Sequence, residues 1–243
     1  MRLNDILKNK VVGNAGWIIG GKVFNKALAF VVGILSARYL GPGNYGLINY
    51  AAAYTAFFAS LCTLGINSVL VKELIDYPEK EGETLGTTLV MRAASSMLSA
   101  VMIICITLFA DRDEPLTILV VALYCVGMIF QVYDAFNYWF QAKLRSKYQA
   151  IAENIAFIVV SAFKILLLVL QKDVRWFAMA GSIDYITAAV ILFAAYKKNG
   201  GPKLSFSWNR GKEILSVSSH FIISGLMVSI YASTDRVMLK QML

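Results

Sequence analysis

The chain has 243 residues, 58% of them apolar and only 16% charged, with a mean hydropathy of +0.63. A water-soluble domain carries roughly a quarter of its residues as charges, so this composition excludes one and points to an integral membrane protein. The net charge of +8 raises nucleic acid as a partner, but the basic residues sort by side of a membrane, and no nucleic-acid role is expected.

A helix crosses about 30 Å of hydrocarbon in roughly 20 residues. Apolar windows of that order lie at 14–37, 45–71, 86–110, 115–140, 149–170, 174–196 and 213–238. Runs such as SMLSAVMIICITLFA and AFIVVSAFKILLLVL do not alternate in polarity, which argues for helices and against a membrane barrel. The expected fold class is therefore all-α integral membrane, with about seven transmembrane helices: a six-helix amino-terminal bundle plus the first helix of a second bundle.

The segment MRLNDILKNKVVGN is basic, but no cleavable signal follows it, because the next apolar stretch is too long and lacks a small-residue cleavage site. Arg2, Lys8 and Lys10 precede the first span. Lys72 and Lys80 lie in the second connection, Lys143, Arg145 and Lys147 in the fourth, and Lys197, Lys198, Lys203, Arg210 and Lys212 in the sixth. The alternate connections hold only Arg38, Arg112, Lys172 and Arg175. By the positive-inside rule the amino terminus is cytoplasmic.

The first span carries Lys22 and Lys26, with Asn25 beside them. Four residues apart, the lysines share a helical face, and Asn25 is read as part of it. Lys22 lies about 12 Å along the axis from Asn14 and Lys26 about 18 Å. An ammonium in a bilayer costs about 2.5 kcal/mol or more. Snorkelling accounts for a lysine near a helix end but poorly for Lys26, so this face is expected to line a polar cavity. The Gly16 and Gly20 pair in GWIIGG is a small-residue packing pattern.

The first connection, RYLGPGNYG, is expected to be a tight turn specified by Gly41, Pro42, Gly43 and Gly46, with Tyr39 and Tyr45 at the membrane interface. KELIDYPEKEGETLG reads as a polar, helix-favouring link whose charges form a solvated face, while ADRDEPLT and QKDVRW are short. Asp134 and Asn137 share a face near the end of the fourth span, and Glu153 and Asn154 begin the fifth. Either carboxylate serves equally as a cavity group or as a neutralising partner for a nearby lysine, and for Glu153 a plain interfacial helix start is the favoured reading. Lys164 and Asp184 are placed to form a structural ion pair between consecutive spans. YKKNGGPKLSFSWNRGKE, the longest connection, is expected to divide a bundle at 1–198 from a cytoplasmic linker at 199–212 and a new helix at 213–243, and to lie beside anionic headgroups. His220, the lone histidine, suits either helix packing or proton coupling.

Chemistry-bearing motifs are absent. Cys62, Cys105 and Cys125 lie in apolar spans without metal-ligand spacing. No Gly-rich phosphate loop, paired-histidine motif or nucleophile elbow occurs. Neither an enzyme, a metal nor an organic cofactor is implied.

The first two spans resemble the amino-terminal region of the polysaccharide biosynthesis flippases, the O-antigen and capsule-unit translocases of the multidrug/oligosaccharidyl-lipid/polysaccharide exporter superfamily. The resemblance rests on Arg38, Tyr39, Leu40, Gly41, Pro42, Tyr45 and Gly46, on Leu64-Gly65 and on Lys72-Glu73. WFQAKLRSKYQAIAENI and YASTDRVMLKQML are similar to the family as well. It implies two six-helix bundles around a cavity, moving undecaprenyl-diphosphate-linked oligosaccharide across the cytoplasmic (inner) membrane by alternating access, with a polysaccharide polymerase and glycosyltransferases as companions. Lys22, Asn25 and Lys26 would then bind the diphosphate, while Asp134, Asn137, Glu153 and His220 are candidates for the cavity or for ion coupling. Against twelve or more spans in such proteins, seven make this chain read as a truncated or fragmentary member. A non-transporting scaffold of a polysaccharide assembly complex and a small-molecule exporter of the same superfamily are the competing readings.

Overall fold

Helices make up almost all of the described residues, and no strand occurs among them. The computed structural model describes the backbone of residues 3–242, and side chains in that range except at 3–18, 21, 24, 68, 232–237 and 239–242. The elements are α1 (Leu3–Thr63), α2 (Asn67–Asp76), α3 (Glu81–Ala110), α4 (Pro115–Phe130), α5 (Ala135–Ala142), α6 (Lys147–Val169), α7 (Val174–Lys198) and α8 (Trp208–Met242). A turn of 3-10 helix, Gln131–Asp134, joins α4 to α5, so the two form one rod across Pro115–Ala142.

Five helical rods among the described residues are long and apolar enough to cross a bilayer: Pro78–Ala110, Pro115–Ala142, Lys147–Val169, Val174–Lys198 and Trp208–Tyr231. The protein is an all-α, multi-pass membrane protein. The windows expected at 14–37 and 45–71 fall on α1 and α2, and both differ from simple rods. α1 is interrupted at Gly41, whose φ of 72° and ψ of 173° are non-helical. That φ is open to glycine at no steric cost, and Pro42 follows where a helix start tolerates a missing N–H. The two arms run oppositely through the bundle. Asn25 lies beside Glu153 and Leu40 packs with Leu167 and Phe177, so the first arm follows α6. Tyr50 reaches Asp111 and Ser95 reaches Leu61, so the second arm runs against α3.

The second expected window breaks again. Leu64 and Gly65 take φ values of 52° and 61°, ending α1 at Thr63 and letting α2 restart at Asn67. The apolar run continues across this point, which is why hydropathy alone joins it.

Lipid does not drive helices together hydrophobically, so close packing has to do so. Ala51, Ala53, Ala152, Ala178 and Ala180 are all fully buried. Gly127 of α4 lies against Ser182 and Tyr185 of α7 so closely that a β-carbon would sit 3.0 Å from the Tyr185 ring, and Ser182 Oγ donates to the Leu123 carbonyl at 2.6 Å. Larger apolar side chains such as Phe109, Val169 and Val190 point outward.

One end of the bundle is tied by paired charges. Glu81 accepts from Trp139 Nε1 at 3.1 Å and pairs with Lys143. Arg210 pairs with Glu73 at 2.5 Å and Glu213 at 2.9 Å, donates to Thr84 Oγ1 at 3.2 Å and lies over the Tyr77 ring at 4.8 Å. Residues 199–207 form a strap across the start of α3: Ser205 N donates to the Gly82 carbonyl at 3.2 Å, and Tyr196 Oη donates to the Pro202 carbonyl at 2.5 Å. Gly82 and Gly86 make room, since a β-carbon on them would sit 2.2 Å from the Lys203 carbonyl oxygen and 2.3 Å from that of Ser205. α8 begins at Trp208, five residues earlier than the window at 213–238, because hydropathy does not register its polar first turn.

Candidate functional site

A cavity of about 300 Å³ opens between the first arm of α1, the α4–α5 rod, α6 and α7. Its walls include Asp134, Glu153 and Asp184 together with Asn25, Gln131 and Asn137, and no lysine or arginine among the described residues. Phe130, Tyr133, Phe157 and Tyr185 supply an aromatic surround. Asp134 stands at the 3-10 turn, where the local change of helical pitch sets it one turn from Asn137, whose Nδ2 donates to its carboxylate. Glu153, in the second turn of α6, accepts from Gln149 Nε2 at 2.8 Å, and Gln149 in turn accepts from Gln141 at 2.9 Å.

Several buried polar atoms, some lining this cavity and some outside its walls, have no protein partner. Asn25 Oδ1, Asn137 Oδ1 and Asn154 Oδ1 are buried without a hydrogen bond. Arg92 of α3 is 1% exposed, and its Nε and Nη1 are likewise unsatisfied. The carboxylate whose charge acts on it is that of Asp134, yet Arg92 makes none of the ion pairs seen among the described residues. Unsatisfied buried polar groups cost about 1 to 3 kcal/mol each, so a native cluster of them calls for a reason. Chemically, three carboxylates and amide oxygens in an aromatic-walled space suit a proton, a small cation or an ordered water chain.

The residues singled out in the sequence divide between this cavity and other places. Asn25, Asp134, Asn137 and Glu153 come together. Lys22 and Lys26 are exposed on the first arm and do not line the cavity. The face expected to carry all three residues is split: Asn25 stands about 100° round the helix from Lys26 and about 60° from Lys22, and the rotation of the arm turns Asn25 to the cavity while both lysines stay exposed. His220 is exposed on α8 and contacts Ser219 Oγ at 3.5 Å, away from this cavity. Lys164 and Asp184 act on each other electrostatically but do not close to ion-pair distance, and Asp184 faces the cavity instead.

The turn residues have a structural task. Leu40 is buried against α6 and α7, Tyr39 stacks on Phe177 with ring centroids 5.8 Å apart and donates to the Lys172 carbonyl at 3.2 Å. Gly41 and Pro42 make the reversal itself, Tyr45 packs beside Leu40, and Arg38 and Gly46 are exposed. Sequence reasoning missed Arg92, Gln131 and the inward side of Asp184. Arg92 carried a usable signal, an arginine inside the apolar run of the third span. Gln131 and Asp184 carried none, because their direction depends on helix rotation.

The sequence model for polysaccharide biosynthesis proteins matches residues 11–243, nearly the whole chain. The chain belongs to this family. Comparison with curated proteins gives no match, and comparison with solved structures gives none. As a multi-pass member of the polysaccharide biosynthesis family, the protein carries its acidic cavity inside the helix bundle and its two first-arm lysines outside it.

Proposed function

We propose that the protein takes part in flipping polyprenyl-diphosphate-linked oligosaccharide across the cytoplasmic membrane, with its amino terminus in the cytoplasm. The observation that carries this reading is the exposure of Lys22 and Lys26 among apolar side chains of the first arm. Neighbouring Ile19, Val23, Phe30 and Val31 are exposed as well, so the ammonium groups stand among lipid-facing side chains unless a polar ligand or helix meets them. A diphosphate headgroup is the matching ligand: it needs compensating charge to enter a low-dielectric space, and lysine offers a mobile point charge that does not grip bidentately. Family membership supports the polysaccharide pathway.

In this reading the two charged regions have separate tasks. The lysines attract the headgroup from the membrane side, and Asp134, Asn137 and Glu153 hold the cation whose movement drives the conformational cycle. Translocation in proteoliposomes loaded with lipid-linked oligosaccharide tests it. Changing both lysines to glutamine is expected to lower the rate at least tenfold at equal protein level, each single change doing less. An unchanged rate in the double variant overturns the role of the lysines.

A second reading has its own support. The cavity is acidic, as expected of an exporter of small cations in the same superfamily. Transport of a cationic dye that is abolished by Asp134→Asn, in a protein that leaves lipid-linked glycan untouched, selects this reading over the first.

A further inference from the structure

Where α1 gives way to α2, a second cavity of about 240 Å³ lies against α8. Two glycines bring the elements together. A β-carbon on Gly65 would sit 2.8 Å from Ile222 N and from the Ser218 carbonyl oxygen, and one on Gly225 would sit 2.6 Å from Ser60 Oγ. Ser60 and Ser229 share a hydrogen bond at 3.1 Å. These contacts hold the break in the helix open beside α8 rather than letting side chains fill it.

The lining is neutral and rich in hydrogen-bonding groups. Ser60, Thr63, Asn67 and Ser224 provide hydroxyls and an amide, Phe221 provides one aromatic face, and no charged side chain takes part among the described residues. Asn67 Oδ1 is buried without any donor. An interrupted membrane helix is a recurrent place for a transporter to receive its substrate, and the absence of charge here makes the diphosphate a poor occupant. Its volume is below the roughly 300 Å³ at which drug-sized pockets begin, suiting one small ring and not an oligosaccharide.

We infer that this pocket receives a single sugar ring of the glycan, its hydroxyls meeting Asn67, Ser60 and Ser224 and its C–H face lying on Phe221. The inference rests on the flippase reading and deepens it: the lysines would handle the headgroup while this pocket selects a sugar. A site of hydroxyls and amides discriminates strongly, because an analogue lacking the matching hydroxyl leaves buried polar atoms unpaired.

The test is saturation-transfer NMR on the full chain in phosphatidylcholine nanodiscs, which contain no glycoside detergent. Glucose, galactose, rhamnose and N-acetylglucosamine are offered at millimolar concentration, with glycerol as an acyclic polyol. Ring-proton transfer from at least one sugar, saturable and reduced at least fivefold in both Asn67→Leu and Phe221→Leu, is the expected result. Phe221 is 45% exposed, so its replacement keeps the fold readable if Asn67→Leu fails to assemble. No transfer from any sugar, transfer unchanged in the variants, or equal transfer from glycerol overturns the assignment. The lysine double variant keeps the sugar signal while losing translocation. Thus a failed pocket with intact lysine dependence removes this inference alone, and a failed lysine dependence with an intact sugar signal removes the headgroup reading alone.

Discussion

Two charged regions of this protein follow opposite rules. At the strap end, Glu81 meets both Trp139 and Lys143, and Arg210 meets Glu73, Glu213, Thr84 and Tyr77. In the interior of the helix bundle, Arg92 leaves two nitrogens unsatisfied and the side-chain oxygens of Asn25, Asn137 and Asn154 lack donors. Both regions contain a buried arginine, 6% exposed at Arg210 and 1% at Arg92. The difference teaches that buried polar groups are not treated alike: a satisfied cluster ties helices together, whereas the unsatisfied groups carry a cost that no hydrogen bond among the described residues offsets.

The sharpest way to break this comparison is to remove the satisfied arginine. Arg210→Met strands Glu73, which is 16% exposed, and is expected to lower stability by about 3 to 5 kcal/mol, read as a fall in the denaturation midpoint of the purified protein. A loss below about 1 kcal/mol would mean that the clamp is ornamental.

Next in size is the seat of the strap. Gly86→Ala drives a methyl into backbone at Ser205, and an overpacked site of this kind costs about 1 to 3 kcal/mol. Faster proteolysis within 199–207 would accompany it, because the strap has to lift. An unchanged cleavage pattern counts against the seating.

Gly41→Ala probes the turn instead. Space is open around its β position, so only the backbone conformation, φ 72° with ψ 173°, resists the change, at about 1 to 3 kcal/mol for a residue other than glycine in that region. The smallest expected effect on stability is at Arg92. Replacing this cation, which makes no ion pair among the described residues, with methionine is expected to shift stability by no more than about 1 kcal/mol in either direction, while transport falls at least tenfold. If Arg92→Met destabilises as much as Arg210→Met, the two regions are alike and the contrast drawn between them fails.

Much of the fold was legible because a bilayer restricts the choices. Within hydrocarbon only helices satisfy every backbone group inside one segment, so long non-alternating apolar runs identify α3, the α4–α5 rod, α6, α7 and α8 with little ambiguity. The Gly41-Pro42 turn was legible for a local reason, glycine's tolerance of positive φ. The break at Leu64-Gly65 was not, since hydropathy passes over it without a change; its cause is the fit against α8 at Ser218 and Ile222. Likewise the mixed charges of the second connection read as a solvated face, whereas Glu73 and Glu81 are tied to Arg210 and Lys143 of distant segments.

The candidate site was half legible. Its residue types were visible, since an ionisable group in an apolar span is conspicuous by its cost, and Asp134, Asn137, Glu153 and Asn25 meet in one cavity. Which of the conspicuous groups share that cavity was decided elsewhere. By itself, the sequence determined that the chain spans a membrane with helices, where most of them lie, and which side chains are too polar to be idle there. Only the tertiary structure decided that Asn25 turns inward while Lys22 and Lys26 turn outward, that Asp184 joins Asp134 and Glu153, and that two nitrogens of Arg92 go unsatisfied. Helix rotation and neighbour contacts set those directions, and a linear pattern of hydropathy contains neither.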